Sequence, residues 1–321
     1  MSHHIPQEIL DLAHARSAAR AAREWETADR HRATIEAAGW KVVDRGTDFA
    51  LSPMHPPDVV EDGRTRYGSS TSVPSRLEEP ASGFATVVLV AGSWPADVER
   101  ALASLDEHAP AGTHVVVVAD DPSPEQSERL ASLERADTEI VWTSAPLGTA
   151  AALNAGIRRA SAEVVVILDT SVELTGDAIT PLVRELDDPA VGVAGGWGIV
   201  SGDLRRFEEG GPGDVDVVEG YAMAFRRSDY AARGPLDERF RFYRNLDIWW
   251  SLALRDEGVD APPRRAVALA DLPVRRHQHR GYASLPETER DRLSKRNFYR
   301  IIDRFGERRD LLLRPAPRAR R

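Results

Sequence analysis

Two aspartates that close apolar strands are the first residues in this chain with chemistry in reach. The stretches ATVVLVAG (85–92), HVVVVADD (114–121) and EVVVILD (163–169) are apolar on both faces, and the apolar runs of the second and third close on Asp120 and Asp169. A strand of that kind belongs in the middle of a parallel α/β sheet. Such sheets bind ligands in the crevice beyond the carboxyl ends of their strands. A carboxylate placed there can accept hydrogen bonds from a nucleotide or hold a divalent cation. Asp120 and Asp169, on separate strands of one sheet, point to a nucleotide site with a metal edge. Asp121 reads as a turn former.

The elements that must position these groups alternate. Helices are expected over 95–108 (PADVERALASLDEH), 123–135 (SPEQSERLASLER) and 148–161 (GTAAALNAGIRRAS), between the strands. This rhythm predicts an α/β fold with a parallel sheet and right-handed crossovers. The chain has neither a G-x-G-x-x-G nor a G-K-[ST] loop, so a dinucleotide dehydrogenase or a P-loop NTPase is not expected.

Composition narrows the field further. The net charge of −9 argues against a nucleic-acid partner. The absence of cysteine excludes disulfides, thiol catalysis and cysteine-ligated zinc. No apolar run reaches membrane-spanning length and MSHHIPQEIL lacks a signal-peptide core, so a cytoplasmic protein without a transmembrane segment is expected. A homo-oligomer is compatible with all of this.

Residues 1–53 read as a small module. A helix is expected over Ile5–Arg23 and a second over Glu26–Ala38, stopped by Gly39. WKVVDRGTDFALSP then reads as a hairpin turning at Asp44–Thr47. The run IPQEILDLAHARSAARAAREWETADRHRATIEAAGWKVVD resembles the C-terminal appendage of cysteinyl-tRNA synthetases, in its Ala/Arg helix, its WETAD step and its AAGW ending. The resemblance implies a borrowed helical module without aminoacylation, since every catalytic part of a synthetase is missing. Packing or dimerisation is the plainer use; tRNA contact is the sharper one. The stretch 54–83, rich in Pro, Gly, Ser and charge, reads as a flexible linker. The main domain is expected over 84–305 with helices at its C-terminal end, and residues 306–321 as a basic tail.

From about 84 to 285 the main domain resembles family 2 glycosyltransferases of the GT-A fold. Their D-D-G-S appears as Asp120-Asp121-Pro122-Ser123, and their A-x-N-x-G as Ala152-Leu153-Asn154-Ala155-Gly156. Their D-x-D appears as Asp169-Thr170-Ser171. Their G-x-L-D-E-R-F appears as Gly234 to Phe240, followed by Leu246-Asp247 where they carry E-D and by Arg255 to Gly258. A histidine after the next strand matches the HQHRG run at 277–281. Each match is weak alone, and all of them stand in family order. The resemblance implies a nucleotide-sugar donor, a carbohydrate, lipid-linked or small-molecule acceptor, and a divalent metal, manganese or magnesium.

The resemblance also assigns roles. Ala91, Gly92, Asp120, Ser123, Gly148, Asn154, Asp169 and Thr170 would bind the nucleotide. Asp169, Ser171, His277 and His279 would hold the metal, whose charge neutralises a departing diphosphate. Asp247 would be the general base that a weakly nucleophilic hydroxyl needs, or simply the N-cap of the helix that follows. Trp197, Glu219, Gly220 and Asp237 would surround the acceptor. Two departures stand out. Ser171 replaces the second carboxylate of D-x-D, and Leu246 replaces the glutamate of E-D. Both weaken the case for tight metal and donor binding, and they keep open a GT-A-fold protein that binds without catalysis.

Overall fold

The computed structural model describes residues 5–45, 48–61, 63–134 and 136–315. Helices α1 (Gln7–Ala21) and α2 (Trp25–Ala37) form a hairpin that packs on an antiparallel ribbon, β1 (Trp40–Arg45) with β2 (Asp48–Pro53). Ile9 and Ala13 from α1, Ile35 from α2 and Val42 from β1 make a small core separate from the two large ones. Buried Arg16 grips Asp44 through two hydrogen bonds of 2.7 and 3.1 Å, which ties α1 to the ribbon. That grip holds the Asp44 carboxyl below the usual carboxylate range. Gly39, at φ +78°, ends the second helix as expected, since a left-handed residue after a helix favours glycine. Residues 46 and 47 of the expected turn lie outside the described residues.

The flexible linker expected over 54–83 is instead part of the domain. Strands β3 (Val59–Glu61) and β4 (Arg64–Tyr67) pair with each other, and β4 runs parallel to β7 (Thr138–Thr143). After β4 the chain has little regular structure, but arginine side chains bind its carbonyls. Arg158 donates to Val73 O at 2.8 Å, Arg159 to Pro74 O at 2.8 Å and Arg227 to Glu79 O at 2.9 Å. Val73 is fully buried. Composition misleads here because the backbone's partners come from distant side chains, which a local reading does not contain.

The centre of the molecule is one sheet of ten strands among the described residues. Its parallel half is β5 (Ala85–Ala91), β6 (Thr113–Ala119), β7 and β8 (Val164–Leu168), with α3 (Pro95–His108), α4 (Pro124–Ala131) and α5 (Thr149–Ile157) between them. The valine runs alternate between two cores. Val88, Val116, Val118, Val165 and Ile167 enter one; Val87, Leu89, Val115, Val117, Val164 and Val166 enter the other. Each such side chain contributes roughly 1.5–3 kcal/mol on burial, so these strands are fixed by both faces at once. Gly156 lets α5 sit close on this sheet: a Cβ there would lie 2.5 Å from Val88 Cγ1 and 2.9 Å from Val118 Cγ2.

The sheet then turns mixed. The short β9 (Val172–Leu174) and helix α6 (Ile179–Glu185) lead to β10 (Val191–Gly195). A smaller sheet holds β11 (Gly198–Ser201) between β12 (Phe207–Gly210) and β14 (Val217–Val218), while β13 (Gly213–Val215) joins the edge of the large one. β15 (Ala222–Arg226) lies antiparallel between β8 and β10. After α7 (Arg227–Arg233) and α8 (Leu246–Arg255), β16 (Arg265–Ala268) runs parallel to β10, and β17 (Val274–Arg276) pairs with β9. Helices α9 (Arg280–Ala283) and α10 (Glu287–Phe305) follow. The first part of the expected basic tail is packed: Leu311 and Leu312 are buried in the main core, and the Leu313 amide donates to Asp216 at 2.7 Å. Residues 316–321 lie outside the described residues. No helix among the described residues is long and apolar enough to cross a membrane.

Candidate active site

A cavity of about 430 Å³ opens where β8 ends, where the chain enters β15 and where α8 begins. Asp169, Glu219, Gly220, Asp247 and His279 all line it.

Asp169 follows β8 directly, and its amide donates to Tyr221 O at 2.9 Å, which ties it to the entry of β15. One carboxylate oxygen accepts the Ser171 amide at 2.8 Å and the Ser171 hydroxyl. The other lies 3.3 Å from His279 Nε2. Burial opposes the Asp169 charge, but the bonds from His279 and Ser171 outweigh it and hold the carboxyl below its ordinary range. His279 is fixed from its other side too: Nδ1 accepts the Tyr282 amide at 3.0 Å, and Tyr243 stacks on the ring at 4.4 Å. Burial works against the imidazolium, and Asp169 more than offsets it, so the histidine titrates above its usual value.

Asp247 sits in the first turn of α8. Its two oxygens accept the Gly220 amide at 3.1 Å and its neighbour Ile248's amide at 2.9 Å. Those amides and the helix N-terminus favour the ionised form. Burial wins nonetheless, and the carboxyl is pushed above its usual range. Glu219 beside it is pushed up by burial and then by the Asp247 charge. Two raised carboxyls in one cleft are the arrangement from which general bases are drawn.

The remaining expected site residues are engaged elsewhere. Asp120 accepts the amides of Leu147 at 2.7 Å and Gly148 at 3.2 Å and approaches the Thr143 hydroxyl at 3.3 Å, so it closes the loop before α5. Burial raises its pKa against those bonds. Gly148 has φ +90° and a Cβ there would lie 3.0 Å from Arg241 Cα. Ala91 is buried at the end of β5, and the Gly92 carbonyl takes the Gln126 side chain. Ser123 caps α4 through the Gln126 amide at 3.2 Å. Asn154, buried in α5, clamps the 230–238 region through Tyr230, Leu236 and Glu238. The Thr170 carbonyl accepts from Arg100 at 3.2 Å. Of the nucleotide set, Asp169 alone is among the residues that line the cavity.

His277 does not join Asp169. Its Nε2 lies 2.6 Å from Glu173 Oε2. Positions 277 and 279 would share a face of a strand, but β17 ends at Arg276 and α9 begins at Arg280, so the two rings part. Asp237 pairs with Arg239 at 2.6 Å. Trp197 meets Tyr221 edge-on at 5.7 Å, and Arg276 lies over both rings. Arg205, Phe207, Tyr243, Arg244 and Phe298 line the cavity without having been expected there. They arrive on irregular turns, on the short strand β12 or on α10, and no local pattern marks them.

The donor set admits a divalent cation on limited terms. Among the described residues no group of three His, Asp or Glu gathers round one point. One carboxylate, with diphosphate oxygens and water completing the shell, suits magnesium or manganese, so Asp169 fits. His279 Nδ1 is taken by an amide, which leaves the proton on Nε2 facing Asp169. It becomes a ligand only if that proton leaves Nε2.

Residues 87–242 match glycosyl transferase family 2. The family 2 domain thus covers Asp120, Asp169 and Glu219, while Asp247 and His279 lie beyond the matched segment. A search of curated proteins finds no match. Among solved structures, the chain is similar to GalNAc-T7 with UDP, GalNAc and Mn2+, at 14% identity and a TM-score of 0.58 over 71% of this chain. It spans 50% of that protein's chain. It is also similar to the mannosyltransferase PcManGT from Pyrobaculum calidifontis in complex with GDP-Man and Mn2+, at 19% identity and a TM-score of 0.52, covering 74% of this chain and 71% of the other. At such identities the likeness is one of fold, and that fold is GT-A. The family match lies wholly within 87–242, so the synthetase-like reading of residues 1–53 rests on sequence resemblance alone.

Proposed function

We propose that this chain is an inverting glycosyltransferase that moves a sugar from a nucleoside-diphosphate donor to an acceptor hydroxyl. The observation that carries the reading is the meeting of Asp169, His279 and the raised carboxyl of Asp247 in one cavity of about 430 Å³. Asp169 would hold a manganese or magnesium ion, which supplies positive charge to the leaving diphosphate, while His279, whose Nδ1 is taken by the Tyr282 amide, would orient Asp169 through Nε2. Asp169 marks the donor end. Asp247 marks the acceptor end and takes the hydroxyl proton. The acceptor oxygen bonds to the anomeric carbon while the bond from that carbon to the diphosphate breaks, and the diphosphate leaves with the electron pair. Attack from the face opposite the leaving group inverts the configuration. Soluble, cytoplasmic action on a carbohydrate, lipid-linked or small-molecule acceptor belongs to the same proposal.

The engagement of the Ser171 hydroxyl by Asp169, where a second carboxylate would stand, favours one competing reading, a GT-A-fold protein that binds a nucleotide without turnover. Incubating the full chain with a panel of UDP- and GDP-sugars, with and without manganese, separates the two. Metal-dependent sugar release, lost in Asp247→Asn, is the expected result. Nucleotide binding with no release in any arm would assign the binding role instead.

A further inference from the structure

Two arginines of the cavity stand near carboxylates without pairing with one. Arg205 and Arg244 both line it, and among the described residues neither makes an ion pair within 4.0 Å. Other arginines of the same domain are paired: Arg226 and Arg264 with Asp229, Arg233 with Glu257, and Arg308 with Asp256. An unpaired guanidinium at a cleft mouth is a ready partner for an oxyanion.

The backbone of both is held in place, and both side chains are exposed. Arg205 lies in the turn between β11 and β12, next to Leu204, which is buried and left-handed at φ +62°. The Ser201 hydroxyl accepts the Leu204 amide at 3.0 Å and donates to Arg206 O at 2.6 Å; Asp203 accepts the amides of Arg205 at 2.8 Å and Arg206 at 3.0 Å. The Arg244 carbonyl accepts from Asn297, a fully buried residue of α10, at 2.9 Å, and Asn245 after it is left-handed at φ +68°. Rigid backbone under each arginine lowers the entropy lost when a ligand orders it.

They belong with the base. Arg205 comes from the small sheet whose strand β14 runs into Glu219, and Arg244 stands three residues before Asp247. The Arg244 charge acts on both Glu219 and Asp247. Asp169 and His279 are brought by other elements, β8 and the junction of β17 with α9. Phe207 and Phe298 supply apolar wall beside the arginines.

We propose that the acceptor is anionic: a molecule whose phosphate or carboxylate is held by Arg205 and Arg244 while one of its hydroxyls lies at Asp247. This rests on the glycosyltransferase reading above. The test is titration calorimetry on the full chain with glycerol 3-phosphate against glycerol, and glucuronate against glucose. UDP and GDP with manganese serve as donor-side probes. The anionic member of at least one pair binds, its neutral counterpart binds about tenfold or more weakly, and the affinity falls as salt is raised. Arg205→Gln and Arg244→Gln each weaken the anion by about tenfold, the loss of one charge-assisted contact, and leave nucleotide affinity within about twofold. Neutral probes that bind as tightly would overturn the proposal. So would variants that lose nucleotide affinity in step, since the arginines would then hold the donor diphosphate. An anion site in a chain that binds neither nucleotide would remove the transferase reading and leave the anion site standing. Sedimentation with phosphatidylglycerol and phosphatidylcholine vesicles names the source of the anion. Loss of phosphatidylglycerol binding in both variants assigns a lipid headgroup, and glycerol 3-phosphate binding without vesicle binding assigns a soluble acceptor.

Discussion

Asp247 is the residue on which opposing forces are most evenly set. Two amides and a helix N-terminus favour its charge, and burial opposes it more strongly. In the proposed role Asp247 must be ionised to accept a proton, so activity is expected to fall as pH falls through this raised pKa. The acid limb of kcat/KM against pH should therefore lie above about 3.9, the ordinary aspartate value, and Asp247→Asn should abolish it together with roughly 10²–10⁴-fold of rate. The same shift has a stability sign. A raised carboxyl pKa means the fold binds the proton more tightly than the unfolded chain, so stability falls as pH rises between the two values. Asp247→Asn removes that titration but keeps one acceptor oxygen for the two amides, so its melting temperature should lose this pH dependence whatever its level; calorimetry across pH checks it. Ser171 offers a second test. Ser171→Asp places a second carboxylate, nearly buried, against Asp169, and like charges in one site disfavour each other. Without metal the variant should melt lower than wild type, and manganese should raise its melting temperature by more than it raises that of wild type. An unchanged response to manganese would show that position 171 does not face a cation.

At the scale of elements, the motifs legible in the sequence divide into those that hold the site and those that form it. Asn154 is the clearest case. Family resemblance assigns it to the nucleotide, yet its side chain makes four bonds that pin α5 to the 230–238 region, from which the chain runs on towards α8 and Asp247. Asn154→Ala would strand buried partners on Tyr230 and Leu236 and should cost about 2–4 kcal/mol, read as a lower urea midpoint. An isosteric Asn154→Asp would retain the acceptor half and lose the donated half. The strands that end at Asp120 and Asp169 were readable because burial on both faces leaves one continuous valine run. The strand TEIVWT and the pair β3 and β4 were not, because these runs are short and mix their apolar residues with Thr, Glu and Arg. His277 and His279 could not be told apart by spacing, since what separates them is the change from strand to helix between them.

At the scale of the molecule, the question is where the main domain begins. The sequence drew that line near residue 84, on composition. The ladder draws it earlier, because β4 hydrogen-bonds to β7 and the stretch after it is bound by Arg158, Arg159 and Arg227. The N-terminal module has its own core of Ile9, Ala13, Ile35 and Val42, and contributes no residue to either large cluster. Two truncations should therefore behave differently. A chain starting at Met54 loses the module and should keep the cooperative unfolding of the main domain, with a melting temperature close to that of the full protein. A chain starting at Ser82 loses β3, β4 and buried Val73, exposes the edge of β7, and leaves three buried or half-buried arginines short of carbonyl partners. Unpaired buried donors cost about 1–3 kcal/mol each, and a bare strand edge invites aggregation. The shorter chain should melt several degrees lower and aggregate on concentration, as followed by circular dichroism and light scattering. Equal stability of the two chains would return the boundary to residue 84, and loss of folding on removal of residues 1–53 would make the module part of the core.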